Sequence, residues 1–169
     1  MQDQDASAGA GAAPPDASHL FPGATPSGLM LSGHDWHRSP LGPLAGWSPA
    51  LRAAASWLAS SPLPKWLAWG DDLALVYNEA YARMLGPKHP QALGTSLRTV
   101  WAEAWPVLEE LVASALRGEG VYREDFPMQV LAGDQLTPAW FTFWYTPLHD
   151  EQGVVRGLLA TVWETTDKV

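Results

Sequence analysis

Apolar positions along the chain follow two periods, and each marks a class of element. Between residues 48 and 60, Leu51, Ala55 and Leu58 recur at helical spacing, with Trp57 beside them. Ser48 is a good N-cap, because its hydroxyl accepts an N–H of the first turn. Pro49 suits the first helical position, where an N–H has no partner anyway. The Ser60-Ser61-Pro62 cluster stops the helix. Residues 64–77 then read as a hairpin: an aromatic strand from Lys65 to Trp69, a turn at Gly70-Asp71-Asp72, and a return strand from Leu73 to Tyr77. Asn78 caps a short helix lined by Ala80, Tyr81, Met84 and Leu85 and ended by Gly86-Pro87. Residues 88–100 read as loop with one short helix.

The clearest helix covers residues 103–117, where Leu108, Leu111, Val112 and Ala115 form an apolar stripe and Gly118 is the expected C′ residue. Three strands close the chain. Residues 120–131 place Phe126, Met128 and Val130 at a period of two. After Gly133-Asp134, residues 138–147 put Phe141, Phe143 and Tyr145 on one face and Trp140, Thr142 and Trp144 on the other. After a turn at 150–153, Leu158, Ala160 and Val162 oppose Leu159, Thr161 and Trp163. Two apolar faces require two covers. The central helices are one, and the N-terminal helix or a second subunit is the other, with Trp57 and Trp163 on the surfaces in question. The N-terminal helix is the favoured cover, with Trp163 beneath Leu51, Ala55 and Leu58.

This order of elements predicts an α+β domain with one five-stranded antiparallel sheet. A right-handed path across the helices places the last strand beside the first, in the order 2-1-5-4-3. The helices between the hairpin and the last strands take one face of that sheet.

Composition adds boundaries. The 169 residues suffice for one domain and some extra chain. In residues 1–33, Ala, Gly, Pro and Ser make up 20 of 33 positions, which predicts a disordered lead-in. Residues 34–61 form a turn-rich segment and the cap helix, and 62–169 form the main domain. Ten Lys+Arg against 18 Asp+Glu give a charge of −8, which repels phosphate backbones and argues against a nucleic-acid partner. No stretch is long and apolar enough to span a membrane, and no basic residue precedes Arg38 to start a signal peptide. A soluble, cytoplasmic setting is expected. The chain contains no cysteine, which excludes disulfides, thiolate metal sites and cysteine-linked chromophores. Its ten tryptophans suit a core, a partner surface or an aromatic pocket.

Residues 62–166 resemble a PAS domain, the sensory module of bacterial signalling proteins. The resemblance rests on Trp69-Gly70 and Tyr77-Asn78-Glu79-Ala80-Tyr81. It also rests on Lys88-His89-Pro90, on Trp101-Ala102-Glu103-Ala104-Trp105, and on Pro147-Leu148-His149-Asp150-Glu151-Gln152-Gly153. The last is similar to the hairpin turn before the final PAS strand. Glu164-Thr165-Thr166 stands where many PAS domains carry Asp-Ile-Thr. Together with Ser39–Pro43 and Trp47, it is similar to the branch found at the N-termini of bacterial sensor histidine kinases.

The resemblance implies a sensory input domain of a two-component protein that often forms a homodimer. Such a domain relays a signal to an output kinase in the parent protein or in trans. Glu164, Thr165 and Thr166 form the hand-off, and Val169 falls where an output helix would begin. The flavin-photosensor and cinnamate-type branches both need a cysteine that this chain lacks. Haem is disfavoured, since His89 sits in a loop. The cofactor is therefore unnamed.

Where PAS domains keep a cavity, Phe141, Phe143, Tyr145, Leu158, Ala160 and Val162 face Tyr81, Met84 and Trp101. They form a candidate pocket for a small planar or apolar ligand. The same side chains could instead fill that space. Asn78 is read as a helix cap worth about 1 kcal/mol. His34-Asp35-Trp36-His37 has metal-ligand types without a fourth ligand or supporting shell, so it is read as solvated linker and no metal is expected. The acidic pairs Asp71-Asp72, Glu109-Glu110 and Glu124-Asp125 do not converge on one site, and no catalytic residue is assigned. The chain is therefore not expected to be an enzyme. Two other classes remain open: a tryptophan-rich carbohydrate-binding module, which would be nearly all β, and a cone-shaped α+β isomerase-like enzyme with a carboxylate in an aromatic pocket.

Overall fold

The computed structural model describes residues 20–21 and 23–168. Its sheet comprises β1 (Lys65–Trp69), β2 (Ala74–Tyr77), β3 (Val121–Ala132), β4 (Gln135–His149) and β5 (Val155–Glu164). All pairings are antiparallel, in the order β2-β1-β5-β4-β3. The last strand is thus inserted beside the first, as the handedness argument predicts. Between β2 and β3 in the chain come α3 (Glu79–Leu85), α4 (Leu97–Val100) and α5 (Trp105–Leu116). The buried side chains of α5, Leu108, Leu111, Val112 and Ala115, are the stripe seen in the sequence.

Two local devices set the register of the central strands. In the β4–β5 turn, Asp150 Oδ1 accepts the N–H groups of Gln152 and Val154 at 2.9 and 3.0 Å, while Oδ2 accepts Arg156 Nε at 2.9 Å. Gly153 supplies the left-handed backbone that closes the turn, at φ +78°. The resulting register sets Phe141 opposite Glu164, Phe143 opposite Val162 and Tyr145 opposite Ala160. On the other edge of β5, Gly157 meets β1 so closely that a Cβ there would lie 2.1 Å from the Ala68 carbonyl oxygen. No larger residue fits that position without moving the strand.

Asn78 does more than cap α3. Its Oδ1 accepts the N–H of Tyr81 and of Lys65, each at 3.1 Å. Its Nδ2 donates to the carbonyls of Leu58, Ser61 and Leu63 at 3.0, 3.3 and 2.8 Å. The side chain is fully buried. It therefore ties the end of the preceding helix, the start of β1 and the start of α3 into one joint.

The N-terminal part corrects the sequence reading. Residues Pro26–Gly33 form a helix, α1, capped by Thr25, whose Oγ1 accepts the Gly28 N–H at 3.0 Å. Leu31 is fully buried and Phe21 nearly so. The expected disorder therefore does not extend to residue 33. Nor are residues 34–37 a solvated linker: Trp36 is buried, donates its indole N–H to the Leu31 carbonyl at 2.8 Å, and meets Trp47 at 5.0 Å between rings. A few large anchors spaced along a small-residue background hold this segment, and an averaged composition hides them. Residues 1–19, residue 22 and Val169 lie outside the described residues, with the remainder of the expected lead-in and the expected start of an output helix.

The next helix, α2 (Pro49–Ser60), begins at Ser48, whose Oγ accepts the Leu51 N–H at 3.3 Å. It buries Leu51, Ala54, Ala55 and Leu58 against β1 and β2. The expected burial of Trp163 beneath this helix is replaced by another arrangement. Trp163 is half-buried and packs on Trp144, with Tyr122 beyond, each ring pair 5.1 Å apart. The period of two in β3 is interrupted between Arg123 and Phe126 by a bulge, where Asp125 adopts φ +46° and donates its N–H to Thr142 Oγ1 at 3.1 Å. Strict alternation therefore does not fix the directions of Glu124 and Asp125. Among the described residues, no helix is long and apolar enough to cross a membrane.

Candidate functional site

Sheet and helices enclose a cavity of about 30 Å³. From the sheet, Trp66, Met128, Phe141, Phe143, Tyr145 and Val162 line it. From the helical layer come Tyr81 and Met84 of α3, Leu97 of α4, Trp101, and Leu108 of α5. The space suffices for about two water molecules. It falls well below the roughly 300 Å³ lower end of pockets that take drug-sized ligands.

Of the side chains chosen from the sequence, Tyr81, Met84, Trp101, Phe141, Phe143, Tyr145 and Val162 are on this wall. Leu158 and Ala160 are not. Both are fully buried on the same sheet face but belong to the filled core. The reason at Ala160 is visible in the register. It lies between Trp66 on β1 and Tyr145 on β4, and those two rings meet 5.5 Å apart across β5, above the small residue. Strand periodicity identifies a face, whereas the extent of a cavity along it depends on which large neighbours lean over it. Trp66, Leu97, Leu108 and Met128 were missed as wall residues. The alternation of Trp66 with Leu67, the period of two at Met128 and the stripe position of Leu108 could have pointed to three of them.

The wall is aromatic with two phenolic hydroxyls. Tyr81 accepts the Trp101 indole N–H at 3.0 Å. Tyr145 stacks on Phe143 with ring centroids 4.7 Å apart, and its hydroxyl has no hydrogen-bond partner among the described residues. Burial pushes both phenols above the ordinary tyrosine range, so both remain neutral O–H groups. Met84 and Trp101 are the half-buried members of the wall, the rest being buried. On the outer side of Trp101, Lys88 Nζ lies 5.0 Å from the ring, donates to the Val100 carbonyl at 2.6 Å and pairs with Glu103 Oε1 at 2.9 Å. Glu103 is largely buried in this pair. No carboxylate lines the cavity among the described residues, in contrast to the isomerase-like alternative.

The wall leads directly to the chain's end. Phe141 pairs with Glu164, the last residue of β5. Just beyond, the Thr165 N–H donates to the Trp140 carbonyl at 2.7 Å, and the Trp140 N–H donates to Thr166 Oγ1 at 3.2 Å. Thr165 is buried, and its Oγ1 has no hydrogen-bond partner among the described residues. Residues Thr166–Lys168 turn away as a single 3-10 turn. At the other end of the chain, the His34–His37 segment gathers no metal site: among the described residues, no three His, Cys, Asp or Glu side chains come together for one.

A family model described as PAS fold matches residues 63–169. No curated protein matches the chain. Among solved structures, a LOV protein of Rhodobacter sphaeroides is similar at 13% identity and TM-score 0.53, over 69% of this chain and 66% of that one. An RNA-binding light-oxygen-voltage receptor is similar at 20% identity and TM-score 0.53, over 77% of this chain and 37% of that one. The chain thus spans just under two thirds of the first and little over a third of the second, and the likeness is one of fold. The chain has no cysteine, so the cysteine–flavin adduct of the flavin-photosensor branch has no residue to form on here. A sheet in the order 2-1-5-4-3, a helical layer enclosing an aromatic cavity, and a family match across the whole of that unit agree: this chain belongs to the PAS fold family.

Proposed function

We propose that the domain is a sensory input module of a bacterial two-component protein. It reads the state of its aromatic cavity and passes that state to an output kinase domain through Glu164, Thr165 and Thr166. Its role is binding and relay rather than catalysis. The observation that carries this reading is the shared backbone of cavity and exit. Phe141 lines the cavity while pairing with Glu164, and the next residue on each strand, Trp140 and Thr165, is joined by a 2.7 Å hydrogen bond. A change in the position of the Phe141 backbone therefore acts on Thr165 and Thr166, which are both bonded to Trp140.

The output kinase lies in the parent protein or acts in trans. Pairing with a second copy is part of the reading, and the partly exposed outer-face stripe of Tyr122, Trp144 and Trp163 supports it. Interfaces favour such aromatic side chains. Native and denaturing mass spectra of the purified chain, with an absorption spectrum of the same sample, test the sensory reading. Extra mass that departs on denaturation identifies the occupant of the cavity. A bare chain whose Thr165 amide is indifferent to substitutions in the cavity wall contradicts it.

A further inference from the structure

Two tyrosines whose hydroxyl protons reach no acceptor among the described residues line the cavity. Each is held in an apolar, aromatic wall, yet neither uses its proton. Tyr81 is 2% exposed and Tyr145 5% exposed, and both line the cavity. The Tyr81 oxygen accepts from Trp101, and among the described residues no acceptor receives its own hydrogen. The Tyr145 hydroxyl has no partner at all among the described residues. Buried donors are nearly always satisfied, and an unused one is costly unless something else completes it.

Resting on the sensory reading above, we propose that the cavity takes a small, flat aromatic molecule with one hydrogen-bond acceptor on its edge, such as an aromatic ketone or aldehyde. The acceptor receives the O–H groups of Tyr81 and Tyr145. The ring lies among Phe141, Phe143 and Trp66. The rest of the wall offers no carboxylate, lysine or arginine, so a charged ligand would lose its hydration without gaining a counter-ion.

Admission requires movement, since the enclosed space is about 30 Å³. The half-buried Met84 and Trp101 are the wall members able to supply it. Met84 is unbranched and adapts readily. Trp101 is held to the wall by the single bond to Tyr81 and covered by Lys88. The ligand's acceptor meets the Tyr81 hydrogen, not its oxygen lone pairs, so binding does not compete with the bond from Trp101.

Titration of the full chain with acetophenone and with ethylbenzene tests this, with the shifts of cavity methyl and indole NMR signals as readout. The two probes share a ring and similar bulk, and only acetophenone carries an acceptor. The wild-type chain should bind acetophenone at least tenfold more tightly. Tyr145→Phe and Tyr81→Phe should each reduce the ratio of acetophenone to ethylbenzene affinity severalfold. Circular dichroism checks that each variant is folded. Equal affinities in the wild-type chain would overturn the acceptor assignment and leave the cavity-sensing reading in place. Failure of both probes to bind the folded chain would overturn both.

Discussion

Phe141 and Glu164 stand opposite each other across β4 and β5, the first on the cavity wall and the second at the point where the chain leaves the sheet. Backbone pairing links neighbouring strands directly, so a shift of the β4 backbone at Phe141 is carried to β5. In the proposed sensory reading, this pairing is the route from the cavity wall to the exit.

Phe143→Ala removes a ring packed against Phe126 at 5.6 Å and Tyr145 at 4.7 Å, and it enlarges a cavity that already exists. The lost burial and the void together should cost about 3–5 kcal/mol. Urea denaturation followed by Trp fluorescence measures it. A loss below about 1 kcal/mol would show that the wall is loosely packed.

Asn78→Ala should cost more than a helix cap alone. Its buried side chain makes five hydrogen bonds that join three segments, and four of those partners lie outside the capping interaction. We expect a loss of about 3 kcal/mol, against about 1 for an ordinary cap. Equilibrium unfolding distinguishes the two.

Thr165→Val should do the opposite. The Thr165 hydroxyl oxygen is buried and unpaired among the described residues, and valine has nearly the same shape. A gain of about 1 kcal/mol is expected, visible as a raised melting temperature. A lower melting temperature would mean that the hydroxyl has a partner in the protein in solution.

Acid should loosen the N-terminal cap. Burial lowers the pKa of His34, Asp35 opposes that shift, and His89 adds to it. His34 also packs against Trp36 with ring centroids 4.5 Å apart. A histidine with a depressed folded pKa favours the folded state in its neutral form. That contribution is complete above the unfolded value of 6.5 and is lost as pH falls through the folded pKa. The melting temperature should therefore fall between pH 7 and pH 5, and His34→Gln should flatten that part of the curve. An unchanged slope in the variant would assign the acid sensitivity to other groups.

The sheet order was legible because turn chemistry and strand periods are local signals, and few topologies join them. Asp150 and Gly153 are readable as a turn before any contact is known, and the structure explains both through three hydrogen bonds and a positive φ. The cavity's face was legible for the same reason, since Phe141, Phe143 and Tyr145 share a pleat. Its length was not. Leu158 and Ala160 were placed on the wall because nothing local to β5 reports that Trp66 and Tyr145 close over Ala160. The docking of α1 was hidden for a related reason: Phe21, Leu31, Trp36 and Trp47 join only after distant segments fold together. The bulge at Asp125 depends on a bond to Thr142 of the next strand and is likewise non-local.

The link from cavity to exit is tested most directly by hydrogen exchange at the Thr165 amide, which bonds to the Trp140 carbonyl. Two core variants would be compared at matched global stability: Phe143→Ala in the cavity wall, and Leu58→Ala on the buried face of α2. The account predicts that Phe143→Ala speeds Thr165 exchange about tenfold more than Leu58→Ala does, and that benzene filling the enlarged cavity reverses the excess. Equal exchange at Thr165 in the two variants, with no response to benzene, would contradict it.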